Sequence, residues 1–180
     1  MRHLIHDPKI LSEAIMMISL SAMLHYVKLF SLPQGGSVTL GSMVPILLFA
    51  LRRGVKPGIF AGFILGFVAL IQNPFIYNPI QVFLDYPFAF ASLGLSGVFV
   101  KNYSDSNLLK PILGIILAIF TRLFFHVISG IIFFSEFVPE GMNPIIYSLI
   151  YNGSFLGIEL IISIIIMSII IKRGTLSIYR

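Results

Sequence analysis

Between residues 10 and 171 the chain is a series of long apolar runs separated by short polar stretches. The available polar residues cannot cover such runs in water. Of the 180 residues, 57% are hydrophobic and 11% charged, whereas a soluble domain carries about 25% charged residues. The expected class is therefore an all-α integral membrane protein, a single domain over residues 1–180 with no soluble segment of domain size.

The runs predict a bundle of six transmembrane helices at about 10–30, 41–51, 57–71, 79–100, 110–134 and 144–171. The second and third are too short to cross a ~30 Å hydrocarbon core upright. The first follows basic residues, as a signal peptide would. Its length matches a full span rather than a signal core of roughly 7–15 residues, so it is expected to be retained. Pro57, Pro79, Pro111 and Pro144 fall near first turns, where a missing N–H costs nothing, and Asn78 and Asn143 are candidate N-caps.

Charge placement predicts orientation. Arg2 and Lys9 precede the first helix. Arg52, Arg53 and Lys56 lie between the second and third, Lys101 and Lys110 between the fourth and fifth, and Lys172, Arg173 and Arg180 follow the sixth. The other connections hold no Lys or Arg, and their charges are Glu136 and Glu140; Lys28, near the outer end of the first helix, is the exception. The positive-inside rule then puts both termini in the cytoplasm, consistent with an even number of spans. The net charge of +5 is scattered in short clusters, which argues against nucleic acid. With no cysteine there are no disulfides or thiolate metal sites, and His3, His6, His25 and His126 lack metal-ligand spacing. Gly58, Gly62 and Gly66 form a double G-x-x-x-G, read as tight packing within the bundle rather than a dimer seam.

The residues that could carry chemistry cluster in the second half. Arg122, His126, Gly130 and Phe134 recur every four residues and make one helical stripe. Asp85 lies about two turns below the outer end of the fourth helix. A carboxylate at that depth needs a partner, a proton or a ligand: the choice is an ion pair with Arg122, bonding to neighbouring helices, or a ligand-facing role. Pro87 frees the carbonyl of Phe83 and is expected to kink the helix. His126 reads either as an interhelical hydrogen bonder or as a ligand contact. Tyr147 and Tyr151 share a face and fit an interfacial belt or a pocket wall. Asn152 points well away from Tyr147 on an ideal helix, so both can line one pocket only if that helix is distorted or wrapped by a loop. A carboxylate among aromatics suits a small cation, each good cation–π contact being worth about 0.5–2 kcal/mol. The stripe and the acidic loop after it are read as the mouth of a pocket opening outside the cell. No G-x-S-x-G, intramembrane aspartate pair or P-loop occurs, so no enzyme is expected, and any energy for transport must come from a gradient or from partner subunits.

Four blocks carry a wider resemblance: GSMVPILLFALRRGVKPG, NPIQVFLDYPFAFASLGLSG, RLFFHVISGIIFF and PEGMNPIIYSLIYNGSF. With them nearly the whole chain resembles the thiamine-specific substrate-binding (S) components of energy-coupling factor (ECF) vitamin transporters of Gram-positive bacteria. That resemblance implies a six-helix bundle in the bacterial cell membrane, binding thiamine near its outer face under the first extracellular loop. It implies ligand-binding roles for Asp85, Tyr86, His126, Gly130, Phe134, Tyr147 and Asn152. Asp85 would face the positive thiazolium, the aromatics would stack on the rings, and His126 and Asn152 would hydrogen-bond to the ligand. It also implies separate partner chains, a transmembrane coupling protein and two cytosolic ATPases, with no cofactor beyond the transported vitamin. The chain departs from the family pattern in having no tryptophan, so Phe134 stands where a stronger cation–π partner is common, and no binding residue carries over to the first loop. The helix 1 alanine motif for docking the partner is interrupted by Ile18. The other readings are a receptor of the same fold for another vitamin or a pyrimidine precursor, and a membrane enzyme.

Overall fold

The computed structural model describes residues 7–100 and 108–174. Arg2, His3, His6, Lys101 and Arg180, used above for orientation and metal spacing, lie outside the described residues. Helix α1 (Pro8–His25) opens with Pro8 at its first turn and the Asp7 side chain capping Lys9 N. A hairpin follows, β1 (Lys28–Ser31) antiparallel to β2 (Ser37–Thr39), with Phe30 opposite Val38 and Ser31 opposite Ser37. Helices α2 (Val44–Arg53) and α3 (Val55–Gln72) meet at Gly54, whose φ of +92° allows the abrupt turn. Helix α4 (Pro79–Phe83) runs into a π turn (Leu84–Phe88), then α5 (Ala89–Ala91) and a 3₁₀ segment (Ser92–Gly97). Helix α6 (Leu109–Phe133) and helix α7 (Pro144–Lys172) complete the bundle.

Two sequence expectations change. The first apolar run ends as a helix at His25, not near residue 30, because Lys28 to Ser31 pair with Ser37 to Thr39 across a Pro-Gln-Gly-Gly turn. The third helix is not short: it starts before Pro57 and runs 18 residues, about 27 Å, and so joins α6 and α7 as one of three helices, among the described residues, long and apolar enough to cross a membrane. Asn78 and Asn143 do cap α4 and α7, accepting from Ile80 N and Ile145 N, with proline at each first turn. Arg52 and Arg53 belong to the last turn of α2, and both pair with the buried Glu13 of α1.

Helix α2 is the centre of the bundle. Every residue from Val44 to Leu51 is buried, against α1, α3, the 3₁₀ segment and α7. The glycine stripe of α3 faces the α4–3₁₀ element at backbone contact: a Cβ on Gly66 would lie 2.6 Å from Pro87 Cα, and one on Gly94 would land on the backbone of Ile59. The stripe is thus used inside the bundle. Lipid-facing positions carry apolar side chains, such as Ile161, Ile165 and Ile169 of α7.

Candidate ligand-binding cavity

A cavity with about 970 Å³ of empty space, its open mouth included, lies between the hairpin, the π turn, α6 and α7. Its lining of aromatic rings with a few placed polar groups is the make-up of a small-molecule site. Asp85, Tyr86, His126, Gly130, Phe134, Tyr147 and Asn152 all line it.

Asp85 sits in the π turn that Pro87 requires. In i→i+5 register the carbonyl of Phe83 faces the amide of Phe88 rather than the N–H that Pro87 lacks. The carboxylate makes three contacts, one with each of three side chains. Oδ2 accepts from Gln81 Nε2 at 2.7 Å and Ser129 Oγ at 2.8 Å, and Oδ1 lies 3.0 Å from His126 Nδ1. Arg122 is not its ion-pair partner. The guanidinium lies over the Phe90 ring, 4.1 Å from its centre, and Nε donates to His126 Nε2 at 3.4 Å. With Nε2 accepting, the ring proton of His126 is on Nδ1 and points at Asp85. Three donors thus hold the Asp85 carboxylate in place, with the Arg122 guanidinium one residue further back, behind His126.

Gly130 explains how α6 and α7 close together. An added Cβ there would strike the buried Ser148 hydroxyl, which donates to Val127 O at 3.2 Å, and Asn152 Nδ2 donates to Ser148 O at 2.9 Å. Gly130→Ala is expected to lower stability by about 1–2 kcal/mol, because the added methyl displaces the Ser148 hydroxyl and leaves that buried donor without its acceptor. Adding Ser148→Ala should recover part of the loss in thermal unfolding; a double variant no better than the single one would show the clash is not the cause.

Helix α7 is uninterrupted, so of the two alternatives the sequence left open, a distorted helix or one wrapped by a loop, the first does not hold. The cavity instead wraps around the helix. Tyr147 and Asn152 are about 140° apart. The first faces the hairpin through Gln34, and the second faces α6, with its Nδ2 3.5 Å from His126 O. Tyr86 contributes its ring, while its hydroxyl accepts from Phe75 N at 2.9 Å and donates to Asn73 O at 2.8 Å, which fixes the 73–78 connection. Phe134 ends α6 and sits among Phe75, Tyr77 and Phe137, ring centres 5.7–6.1 Å away. Outside the spans, Tyr77 bonds Glu136, which keeps its phenol protonated above the usual tyrosine range.

Sequence reasoning missed several lining or supporting residues. Gln81 is buried, and its three-residue spacing from Asn78 marks a capping box, one turn before Asp85. Ser129 is a buried polar residue on a mostly apolar helix. Glu159 is the sole carboxylate of α7, the same signal that singled out Asp85. It is 2% exposed, and its Oε1 accepts from Thr39 N and Oγ1 at 2.5 and 2.6 Å. Gln34, on the first loop, also lines the cavity. Among the described residues no cluster of His, Cys, Asp or Glu could hold a metal ion.

The family model for the thiamine transporter protein family (Thia_YuaJ) matches residues 11–178. The chain belongs to this family. The thiamine transporter ThiT of Bacillus subtilis (strain 168) is 39% identical over 149 residues, covering 78% of this chain and 77% of the relative. ThiT of Lacticaseibacillus paracasei is 33% identical over 141 residues, covering 72% and 70%. The solved structure of ThiT from Listeria monocytogenes superposes with a TM-score of 0.80 at 28% identity, covering 91% of this chain and 94% of that one. Family membership makes this a thiamine-transport membrane protein of bacteria, multi-pass and not an enzyme.

Proposed function

We propose that the chain is the thiamine-binding S component of an ECF transporter, capturing the vitamin outside the cell with high affinity and delivering it inward. In this reading it crosses the membrane six times with both termini in the cytoplasm. It works with a transmembrane coupling protein and two cytosolic ATPases, because the chain has no P-loop of its own. The observation that carries the assignment is the Asp85 carboxylate, fixed by Gln81, Ser129 and His126 in a cavity walled by Phe134, Tyr147 and Tyr151. A fixed thiazolium charge meets both a carboxylate that has no direct arginine partner and aromatic faces there. Asp85, Tyr86, His126, Gly130, Phe134, Tyr147 and Asn152 are the ligand-contact set: charge from Asp85, stacking from the aromatics, hydrogen bonds from His126 and Asn152, and close approach at Gly130.

Calorimetry with the purified chain and thiamine tests the assignment. Saturable binding in the micromolar range or tighter is expected, and binding no tighter than millimolar removes it. The same titration with a neutral pyrimidine precursor separates this reading from a receptor of the same fold for another ligand.

A further inference from the structure

Among the described residues, the charged side chains lining the cavity are Asp85, Arg122 and Glu159. Asp85 belongs to the ligand-contact set; the other two do not. Both are buried, Glu159 at 2% exposure and Arg122 at 8%. Glu159 Oε1 accepts from Thr39 N and Oγ1, while Oε2 has no hydrogen-bond partner among the described residues. Arg122 gives its Nε to His126 and lies over Phe90. Among the described residues no carboxylate comes within ion-pair distance of it.

A buried charge without an opposite charge nearby is costly, and hydrogen bonds and rings offset that only in part. These three groups face one cavity and balance through space. Asp85 has three donors on its two oxygens, whereas one oxygen of Glu159 has none. Of the two carboxylates, Glu159 has the stronger Coulombic hold on the guanidinium and Asp85 the weaker. One guanidinium cannot neutralise two carboxylates. With both histidines neutral, a single negative charge is left over, and one monovalent cation completes the balance.

We propose that Glu159 sets the charge of the ligand: it balances Arg122, so that the charge left over is that of Asp85 and the cavity selects an organic monocation over a neutral molecule of the same shape. Glu159 is a positioning residue in this role, acting through Arg122 rather than by touching the ligand. The proposal rests on the reading that the ligand occupies this cavity.

Charge selectivity is the ratio of affinities for thiamine and for an isostere with a neutral thiophene in place of the thiazolium. Calorimetry at pH 8, above the ordinary histidine range, measures both. A purely structural role changes the two affinities alike and leaves the ratio where it was. Glu159→Gln keeps an acceptor for Thr39 and removes the charge. We expect it to lower the ratio roughly tenfold or more, because the field of Arg122 then opposes the cation without compensation. Adding Arg122→Gln should return the ratio to within about threefold of the unsubstituted chain, and Arg122→Gln alone should raise it. An unchanged ratio in Glu159→Gln overturns the proposal, and so does a fall that the double variant fails to reverse. Should Glu159→Gln not fold, Arg122→Gln decides alone: a raised ratio supports the balance, and an equal or lower one overturns it. If the unsubstituted chain binds neither ligand, the functional reading fails, and melting curves decide the charge balance instead. The double variant should then melt above Glu159→Gln, which leaves a buried guanidinium unbalanced, and a double variant that melts no higher overturns it.

Discussion

Asp85→Asn is expected to weaken thiamine binding by about 3 kcal/mol, a factor of roughly 150. Two effects add. The negative charge facing the cation is lost. The new amide also turns a donor toward Gln81 Nε2, Ser129 Oγ or His126 Nδ1, all of which donate to the carboxylate. Calorimetry with thiamine and with a neutral pyrimidine analogue separates the two. The analogue should lose much less affinity, since only the donor mismatch reaches it. Equal losses for both would mean that Asp85 organises the cavity and does not recognise charge. Melting curves of the variant without ligand give the structural part directly.

The second large effect is on folding. Gly94→Ala should cost about 3 kcal/mol or more, because the new methyl falls on the backbone of Gly58 and Ile59 and no side chain there can rotate away. Gly153 provides the control. It lies on α7 with nothing within 4 Å of an added Cβ, so Gly153→Ala should be neutral or stabilise by about 0.5–1 kcal/mol through helix propensity. Thermal stability of both variants by size-exclusion in detergent is the measurement. An unchanged melting temperature for Gly94→Ala would show that α3 and the 3₁₀ segment can separate at little cost.

The parts of this architecture legible in the sequence are those set by local chemistry. Asn78-Pro79 and Asn143-Pro144 mark helix starts because capping involves near neighbours. Asp85 stands out because a charge in an apolar run is costly wherever the run ends up. The family blocks supply seven candidate residues, of which His126, Gly130 and Phe134 share a four-residue stripe, and all seven line one cavity. What sequence did not give depends on long-range contacts. The hairpin is hidden because Val27 to Phe30 continue the apolar run of α1, and its pairing is fixed only where Thr39 meets Glu159, 120 residues away. The choice of His126 over Arg122 as partner of Asp85 depends on Phe90, which draws the guanidinium aside. Asn152 needs no kink because the cavity curves around α7, and no count along one helix reveals that.

Helix α2 is about 15 Å long, ends in two arginines and has its apolar residues covered by protein on every side. Such a segment has neither the length nor the composition to partition into a bilayer alone during synthesis. It must wait at the membrane edge until α3 and its later neighbours provide an interior to enter. Assembly of this chain is therefore expected to finish late, with a ten-residue plug drawn into a shell that has already been inserted, and truncations ending before α7 should leave that plug accessible to water.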